Sequence, residues 1–410
     1  MVRIDNRRVR FKGWKHKDHL HFRSVTEVHW HGLKQDSAEQ MQLHVVLSTL
    51  PIIPNIRLLS LCNADINEAQ QTIIFGLSTL RTLAVQRCHF RPSTGAPPVS
   101  HVTALKIAKI HTQTTRHLLT IFASTLETLS VGYLYGTIGS ILQGGLIELP
   151  KLSSFTIEYH EYGTIHGVMD TFKRYTSITT LHISFHHNLD LSFHHSDLPA
   201  LRSLTCDHHL AASLMPERPV TTYVEIFVFG LERFGKLLTA LSKTRARITN
   251  LKLFVHDKLS LLLPSLAAPL QHLERLTLQF CASTPMLSTR SPDYPSGQPF
   301  HNPPGAATVV LPKLKWVTIT VDEYRYSDFP PELLLNEYFI PLCPMLEVFE
   351  YLCFAVSNPS FEFDRLPEPK RVWKARRLLD GSWERQGPPP IPAKTLRAAR
   401  STFFGKRFHV

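Results

Sequence analysis

The chain has 410 residues, 43% of them hydrophobic, which is enough for an extensive core, and no run of 18 apolar residues that could cross a membrane as a helix. Its formal charge of +12 sits at the ends: residues 1–24 carry 8 Lys/Arg against 2 Asp/Glu, residues 365–410 carry 12 against 3, and residues 25–364 are left at −3. A uniformly basic body that coats nucleic acid is thereby excluded, and basic flanks remain. The opening Met-Val-Arg-Ile-Asp-Asn-Arg-Arg lacks the apolar core of a secretory signal. Cysteines at 62, 88, 206, 281, 343 and 353 form no Cys-x-x-Cys. The expected compartment is therefore intracellular, cytoplasm or nucleus.

Taken in order, residues 1–24 read as a basic flank in which Phe11, Trp14 and Phe22 are points of docking. Val25/Val28/Trp30 then introduces a spacing of apolar residues at positions 1, 4 and 6. Ala38 to Leu50 switches to a helical period with Met41, Val45, Leu47 and Leu50 on one face, and Pro51 and Pro54 end it. The 1-4-6 spacing returns as Ile56/Leu59/Leu61, Leu80/Leu83/Val85, Val102/Leu105/Ile107 and Leu126/Leu129/Val131. It continues as Leu152/Phe155/Ile157, Ile178/Leu181/Ile183, Leu201/Leu204/Cys206, Val224/Phe227/Phe229 and Ile248/Leu251/Leu253. Leu273/Leu276/Leu278, Leu314/Val317/Ile319 and Leu346/Phe349/Tyr351 complete the series.

From Ile56 to Leu273 successive first anchors lie 24, 22, 24, 26, 26, 23, 23, 24 and 25 residues apart. An L-x-x-L-x-L core repeated every 20 to 29 residues or so is the pattern of leucine-rich repeats, each contributing one short parallel strand. Helices are expected between strands: Asn67 to Leu77 capped by Asn67, Thr112 to Thr125 with Leu118, Leu119 and Phe122, Ile165 to Tyr175, and Leu231 to Leu241. The connections 184–200 and 207–222 are too short for a full helix and read as turns. The fold class is α/β: a right-handed, horseshoe solenoid with a parallel concave sheet and convex helices. About 12–13 repeats occupy 25–356, with a Pro/Ser/Gly-rich insertion loop at 283–307, and 357–410 is a basic, Pro-rich tail in which Pro367 to Leu379 reads as a basic helix.

Leu149-Pro-Lys-Leu, Ser196-Asp-Leu-Pro-Ala-Leu-Arg-Ser-Leu-Thr-Cys, Leu342-Cys-Pro-Met-Leu-Glu-Val-Phe-Glu-Tyr and the tail Arg376-Arg-Leu-Leu-Asp-Gly-Ser-Trp-Glu-Arg resemble F-box/leucine-rich-repeat proteins of mushroom-forming fungi. The resemblance spans most of residues 25–410 and implies repeats that hold a substrate. Many such proteins open with an F-box, a helical module that docks on the Skp1 adaptor of a cullin-type ubiquitin ligase. Residues 1–24, with Arg-Phe-Lys-Gly-Trp-Lys-His-Lys, lack its Leu-Pro-x-Glu-like start. Skp1 and cullin are thus expected partners only if an F-box is encoded upstream.

No catalytic site is expected. The chain has no Gly-x-Ser-x-Gly elbow and no Gly-x-x-x-x-Gly-Lys-Ser/Thr phosphate loop. The pairs His186/His187, His194/His195 and His208/His209, and His29-Trp30-His31, read as turn or solvated histidines, so neither metal nor cofactor is expected. Binding is expected instead. Strand side chains alternate, so residues beside the anchors face the concave surface. These are Ser154/Thr156/Glu158, Thr180/His182/Ser184, Ser203/Thr205/Asp207, Asn250/Lys252/Phe254, Arg275/Thr277/Gln279 and Trp316/Thr318/Thr320. A protein partner on that face, bound by a monomer, is the first expectation. The alternatives are a stand-alone scaffold with no ubiquitin link and a nucleic-acid-associated protein using its basic tails, the latter disfavoured by the neutral body.

Overall fold

The computed structural model describes residues 2–5, 8–11, 25–32, 37–91, 100–132, 147–158, 174–184, 196–229, 231–255, 270–280, 311–322, 331–354 and 371–386, with single positions 172, 193, 194 and 266. The fold is mixed α/β, built on a long and mostly parallel sheet with few helices. Contacts divide the chain into two compact units, Met1–Cys206 and Asp207–Val410.

In the first unit, strands β3 (Glu27–His31), β4 (Leu58–Cys62), β6 (Thr82–Gln86), β8 (Ala104–Ala108) and β9 (Thr128–Gly132) pair in parallel, each with the next. Strands β10 (Ser154–Glu158), β11 (Thr180–Ser184) and β12 (Ser203–Cys206) extend the ladder. Register brings the fourth position of every repeat into one column, Val28-Leu59-Leu83-Leu105-Leu129-Phe155-Leu181-Leu204. No member of that column exposes more than 1% of its surface. Burial of each such side chain contributes about 1.5–3 kcal/mol before the entropy of ordering is set against it. The constant period is what permits the column, since one residue of slip would turn every anchor outward.

The backbone repeats with equal regularity. The Arg57 carbonyl accepts the N–H groups of Arg81 and Thr82 at 2.9 and 2.8 Å. The Arg81 carbonyl does the same for Thr103 and Ala104, and the Thr103 carbonyl for Glu127 and Thr128. Where β4, β6 and β8 end, Asn63, Arg87 and Lys109 all take left-handed backbone, φ 51–54°. Each donates its N–H to the following strand's last carbonyl, on Gln86, Ala108 and Gly132 respectively. That bond recovers part of what a non-glycine residue loses in this conformation.

Helices cover the anchor side. Helix α1 (Ser37–Thr49) buries Leu43 and Leu47, with Leu50 in the 3-10 turn that follows, while Met41 and Val45 are 71% and 58% exposed. The expected Met41/Val45 face is therefore wrong: Leu43-Leu47-Leu50 at spacings of 4 and 3 is the stripe that meets the core. Helix α2 (Glu68–Phe75) opens with a capping box in which Asn67 accepts from the Gln70 N–H and Gln70 accepts from the Asn67 N–H. Helix α3 (Thr112–Phe122) buries Leu118, Leu119 and Phe122 completely, and Phe75 packs edge-on to Phe122. A two-stranded pairing, β5 (Asp65–Ile66) with β7 (His89–Phe90), lies between strand and helix, and Arg91 holds the Asp65 carboxyl below the usual range through a 2.8 Å bond. The basic flank supplies two strands: β1 (Val2–Asp5) pairs in parallel with β3 and antiparallel with β2 (Arg8–Phe11). Trp14 and Phe22 lie outside the described residues, as does the side chain of Phe11. Of the helix expected at Ile165 to Tyr175, only Phe172, Arg174 and Tyr175 are described, and Phe172 packs on Phe155.

In the second unit β13 (Thr222–Phe229), β14 (Asn250–Val255), β15 (Arg275–Phe280), β16 (Trp316–Asp322) and β17 (Val348–Phe354) pair in parallel. The anchor column is Tyr223-Leu251-Leu276-Val317-Phe349. This corrects the expected Val224/Phe227/Phe229 register. Val220 and Tyr223, both fully buried, take positions 1 and 4, and a bulge between Val224 and Val228 absorbs the extra residues. Connection 207–222, expected as a turn, holds the short helix α4 (His208–Leu214). Arg218, 1% exposed, donates to the Ser213, Leu214 and Pro216 carbonyls at that helix's C-terminal end, where a cation meets the negative pole. Helix α5 (Leu231–Ser242) buries Leu237, Ala240 and Leu241, while Leu238 is half-buried. A helical stretch from Pro331–Leu334 to Ile340–Leu342 widens to a π turn at Leu335–Phe339, which ends two residues before Pro341.

The basic helix expected over Pro367 to Leu379 is a strand. Strand β18 (Arg371–Arg377) pairs antiparallel with β17, and β19 (Trp383–Gln386) pairs antiparallel with β18. The period is 2: Trp373 and Ala375 are 8% and 2% exposed, and Val372 is 44% exposed. Trp373 packs edge-on to Phe349, 5.7 Å between rings, and donates its indole N–H to Glu332 at 2.9 Å. The hairpin turn carries Asp380 and Gly381, the latter at φ +85°, a conformation open to glycine. The insertion loop 283–307 lies outside the described residues.

Candidate functional site

Each strand has two faces, an inner one carrying anchors and an outer one carrying the residues between them. In the first unit the outer face is small. Ser130, Thr156, His182 and Thr205 stand in one register row, Thr128, Ser154, Thr180 and Ser203 in another, and Gly132, Glu158 and Ser184 in a third. Thr156, Glu158, Thr180, His182 and Thr205 are partly exposed, as the alternation requires. Ser184 is 8% exposed and is removed from the candidate surface. So is Asp207, 6% exposed: the chain has left the strand and turned into α4, whose Leu210 N–H donates to the Asp207 carboxylate at 2.8 Å. Burial pushes this carboxyl above the usual range, and the cap bond opposes that. The signal was present in the sequence, since Asp followed by His-His-Leu-Ala-Ala reads as an N-cap.

The second unit builds a different outer face. Three rows cross it: Asn250-Arg275-Trp316-Val348-Arg376, then Lys252-Thr277-Thr318-Glu350-Lys374, then Phe254-Gln279-Thr320-Leu352-Val372. Trp316 is the centre. Its indole N–H lies 3.2 Å from both Thr318 Oγ1 and Glu350 Oε2. The other Glu350 oxygen holds Lys374 Nζ at 2.9 Å. Arg275 and Lys374 stand over the ring at 5.2 and 5.0 Å from its centroid. One carboxylate thus fixes both the orientation of the indole and the position of a cation beside it.

Lys252 and Phe254 form the neighbouring pair on β14, with the ammonium 5.1 Å from the ring centroid. Phe254 is 6% exposed, so it serves as the floor under Lys252, not as a contact surface. Burial draws the Lys252 ammonium below the usual lysine range. No carboxylate among the described residues pairs with Lys252 or Arg275. Thr277 and Gln279 are partly exposed beside them, whereas Thr320 is 7% exposed.

Sequence reasoning placed Lys252, Arg275, Thr277, Gln279 and Trp316 on one face but missed Glu350 and Lys374. Glu350 sits between the anchors Phe349 and Tyr351, where the same alternation marks it as outward. Lys374 was hidden by reading its segment as a helix.

Chemistry elsewhere is sparse. Cys62, Cys88, Cys206, Cys343 and Cys353 are buried and outside any disulfide. Burial pushes the Cys88 and Cys343 thiols to about 12, far from the thiolate a nucleophile requires. His208 packs against His209 at 4.1 Å between rings, and His29 lies 3.5 Å from Glu27, while His186, His187 and His195 lie outside the described residues. Among the described residues no group of three or more His, Cys, Asp or Glu converges as metal ligands, and no helix is long and apolar enough to cross a membrane. Compared with known proteins, the chain matches no family model, and no curated protein matches it.

Proposed function

We propose that the protein is a non-enzymatic recognition solenoid of the leucine-rich-repeat type, a right-handed horseshoe whose concave side is the outer face, and that it holds a protein partner there. The observation that carries this reading is Trp316, a partly exposed indole fixed by Thr318 and Glu350 and flanked by Arg275 and Lys374. Tryptophan and arginine dominate the energetics of protein interfaces, and a side chain already locked in place loses little entropy on binding. Extended sheet faces of this kind are what solenoids commonly use to engage partners. The resemblance to F-box/leucine-rich-repeat proteins gives the more specific form, a substrate receptor of a ubiquitin ligase.

Affinity capture with the full chain, read by mass spectrometry, tests the proposal. A protein partner retained by the unaltered chain and lost with Trp316→Ala is the expected result. Equal retention by the variant overturns the recognition face. Recovery of Skp1 with the chain is the outcome expected of the ligase-linked form, and its absence favours a stand-alone scaffold.

A further inference from the structure

The outer face of the second unit has an unbalanced charge with a definite geometry. Arg275 lies opposite Asn250 in the ladder and Lys252 opposite Thr277. Arg275 and Lys252 are therefore diagonal neighbours on adjacent strands projecting from the same face, Arg275 resting over Trp316 and Lys252 over Phe254, and two side chains of this length can swing to one ligand between them. Glu350 is already committed: one oxygen to Lys374, the other to Trp316 and Thr318. Arg376, in the same row as Trp316, adds a further exposed cation. Counting the side chains of the three rows from β14 to β18, four cations face Glu350, and Glu384 of β19 lies opposite Arg376.

The position of Lys252 is the informative part. An exposed lysine on a surface is ordinary, but this one lies against Phe254, partly removed from water, and no carboxylate of the described residues compensates it. A cation held half-buried without a counter-ion costs the free protein stability, and an anion arriving at that point recovers the cost. Arg275 beside it presents a planar fork suited to a carboxylate, and Trp316 offers apolar area to whatever carries that carboxylate.

Resting on the recognition reading above, we infer that the partner's docking segment is acidic, and that one of its carboxylates bridges Lys252 and Arg275 while an apolar neighbour in the segment lies on Trp316. A peptide is favoured over nucleic acid because Glu350 stands in the same row as Lys252 and repels a run of phosphates, while leaving room for a single carboxylate at Lys252 and Arg275.

The test uses the full chain and four labelled probes in fluorescence anisotropy. These are a twelve-residue glutamate/serine peptide with one central leucine, its glutamine isostere, its lysine counterpart, and a twelve-nucleotide oligothymidine. The glutamate peptide is expected to bind about tenfold or more tighter than the other three. Lys252→Met and Arg275→Met are each expected to weaken it by about tenfold, whereas Lys106→Met, removing an exposed cation of β8 in the first unit, changes it by less than about threefold. Thermal melting of each variant separates lost binding from lost fold, and Arg275→Gln serves if Arg275→Met melts early.

Equal binding of the glutamine isostere, tighter binding of oligothymidine, no binding of the glutamate peptide, or undiminished binding by the Lys252→Met/Arg275→Met double variant overturns the inference. Its failure is distinct from failure of the broader reading. A captured partner that depends on Trp316 while the acidic peptide does not bind removes the carboxylate chemistry alone.

Discussion

The outer faces of the two units follow the same alternation of strand side chains and end with opposite chemistry. In the first unit the rows from β8 to β12 are mainly Ser, Thr, Ala and Gly with an occasional His, Lys or Glu. In the second unit, Trp316, Glu350, Lys374 and Arg275 reach across four strands to one another. The same scaffold therefore gives a face of mostly short side chains in one unit and a connected set of long ones in the other. The difference teaches that position on the ladder selects which residues are displayed, while side-chain length decides whether they form a site.

The ends of the two ladders differ in the same sense, backbone pairing by β1 at one and side-chain packing by Trp373 at the other. Trp373→Ala should have the largest effect of the substitutions considered, about 3–5 kcal/mol of stability, because it leaves a cavity against Phe349 and removes the hydrogen bond to Glu332. Urea unfolding measures it, and a loss below about 1 kcal/mol would mean that β18 pairing alone closes the second unit.

Trp316→Ala should weaken partner binding by roughly 2 kcal/mol, about thirtyfold, whereas Thr156→Lys or Thr205→Glu on the first unit's outer face changes it by less than about threefold. Titration of the captured partner against all three checks the contrast. If the Thr variants match Trp316→Ala, the comparison breaks and recognition spreads over both faces.

Lys252→Met should leave stability unchanged or raise it at neutral pH, by about 1 kcal/mol or less. The sign follows from the ammonium's lowered affinity for its proton in the folded chain. The folded state binds that proton less tightly than the unfolded state, so the ammonium subtracts stability at neutral pH. The deficit is relieved as pH rises from the lowered value through the ordinary lysine range near ~10.4. Denaturation midpoints at pH 7 and pH 10 should therefore converge between the native chain and the variant. A midpoint that drops at pH 7 would identify Lys252 as paired in the free protein.

The smallest effect is expected of Glu350→Gln. The amide oxygen still accepts from the Trp316 indole, so the ring stays oriented, but Lys374 is released. Acidic-peptide affinity should be unchanged or about threefold tighter, with a steeper dependence on salt. A tenfold loss would show that the charge of Glu350, and not its shape, holds the face together.

The anchors of most repeats, the parallel strands that carry them, the cap at Asn67 and the helix α3 were legible in residue spacing. Periodicity reports burial directly, and burial dominates the energetics. Lys252, Arg275 and Trp316 were legible as outward residues for the same reason. Three kinds of feature were not. The register of β13 depends on a bulge, and Val224/Phe227/Phe229 matched the spacing as well as Val220 and Tyr223 did. The stripe of α1 depends on which apolar residues the neighbouring helix admits, so Met41 and Val45 looked equal to Leu43. The strand at Arg371–Arg377 is a tertiary decision, because its cations suit a helix as well as a strand and only the open edge of β17 selects the latter.

What the sequence determined by itself is the ladder, because a hydrophobic residue repeated at a fixed interval has one economical way to leave water. What the tertiary structure decided is which of the displayed residues meet. Trp316 and Glu350 are 34 residues apart and Glu350 and Lys374 lie on antiparallel neighbours, so their contact exists only once three strands are in register. That register sets an indole beside two cations and one carboxylate, and leaves Lys252 and Arg275 facing outward together.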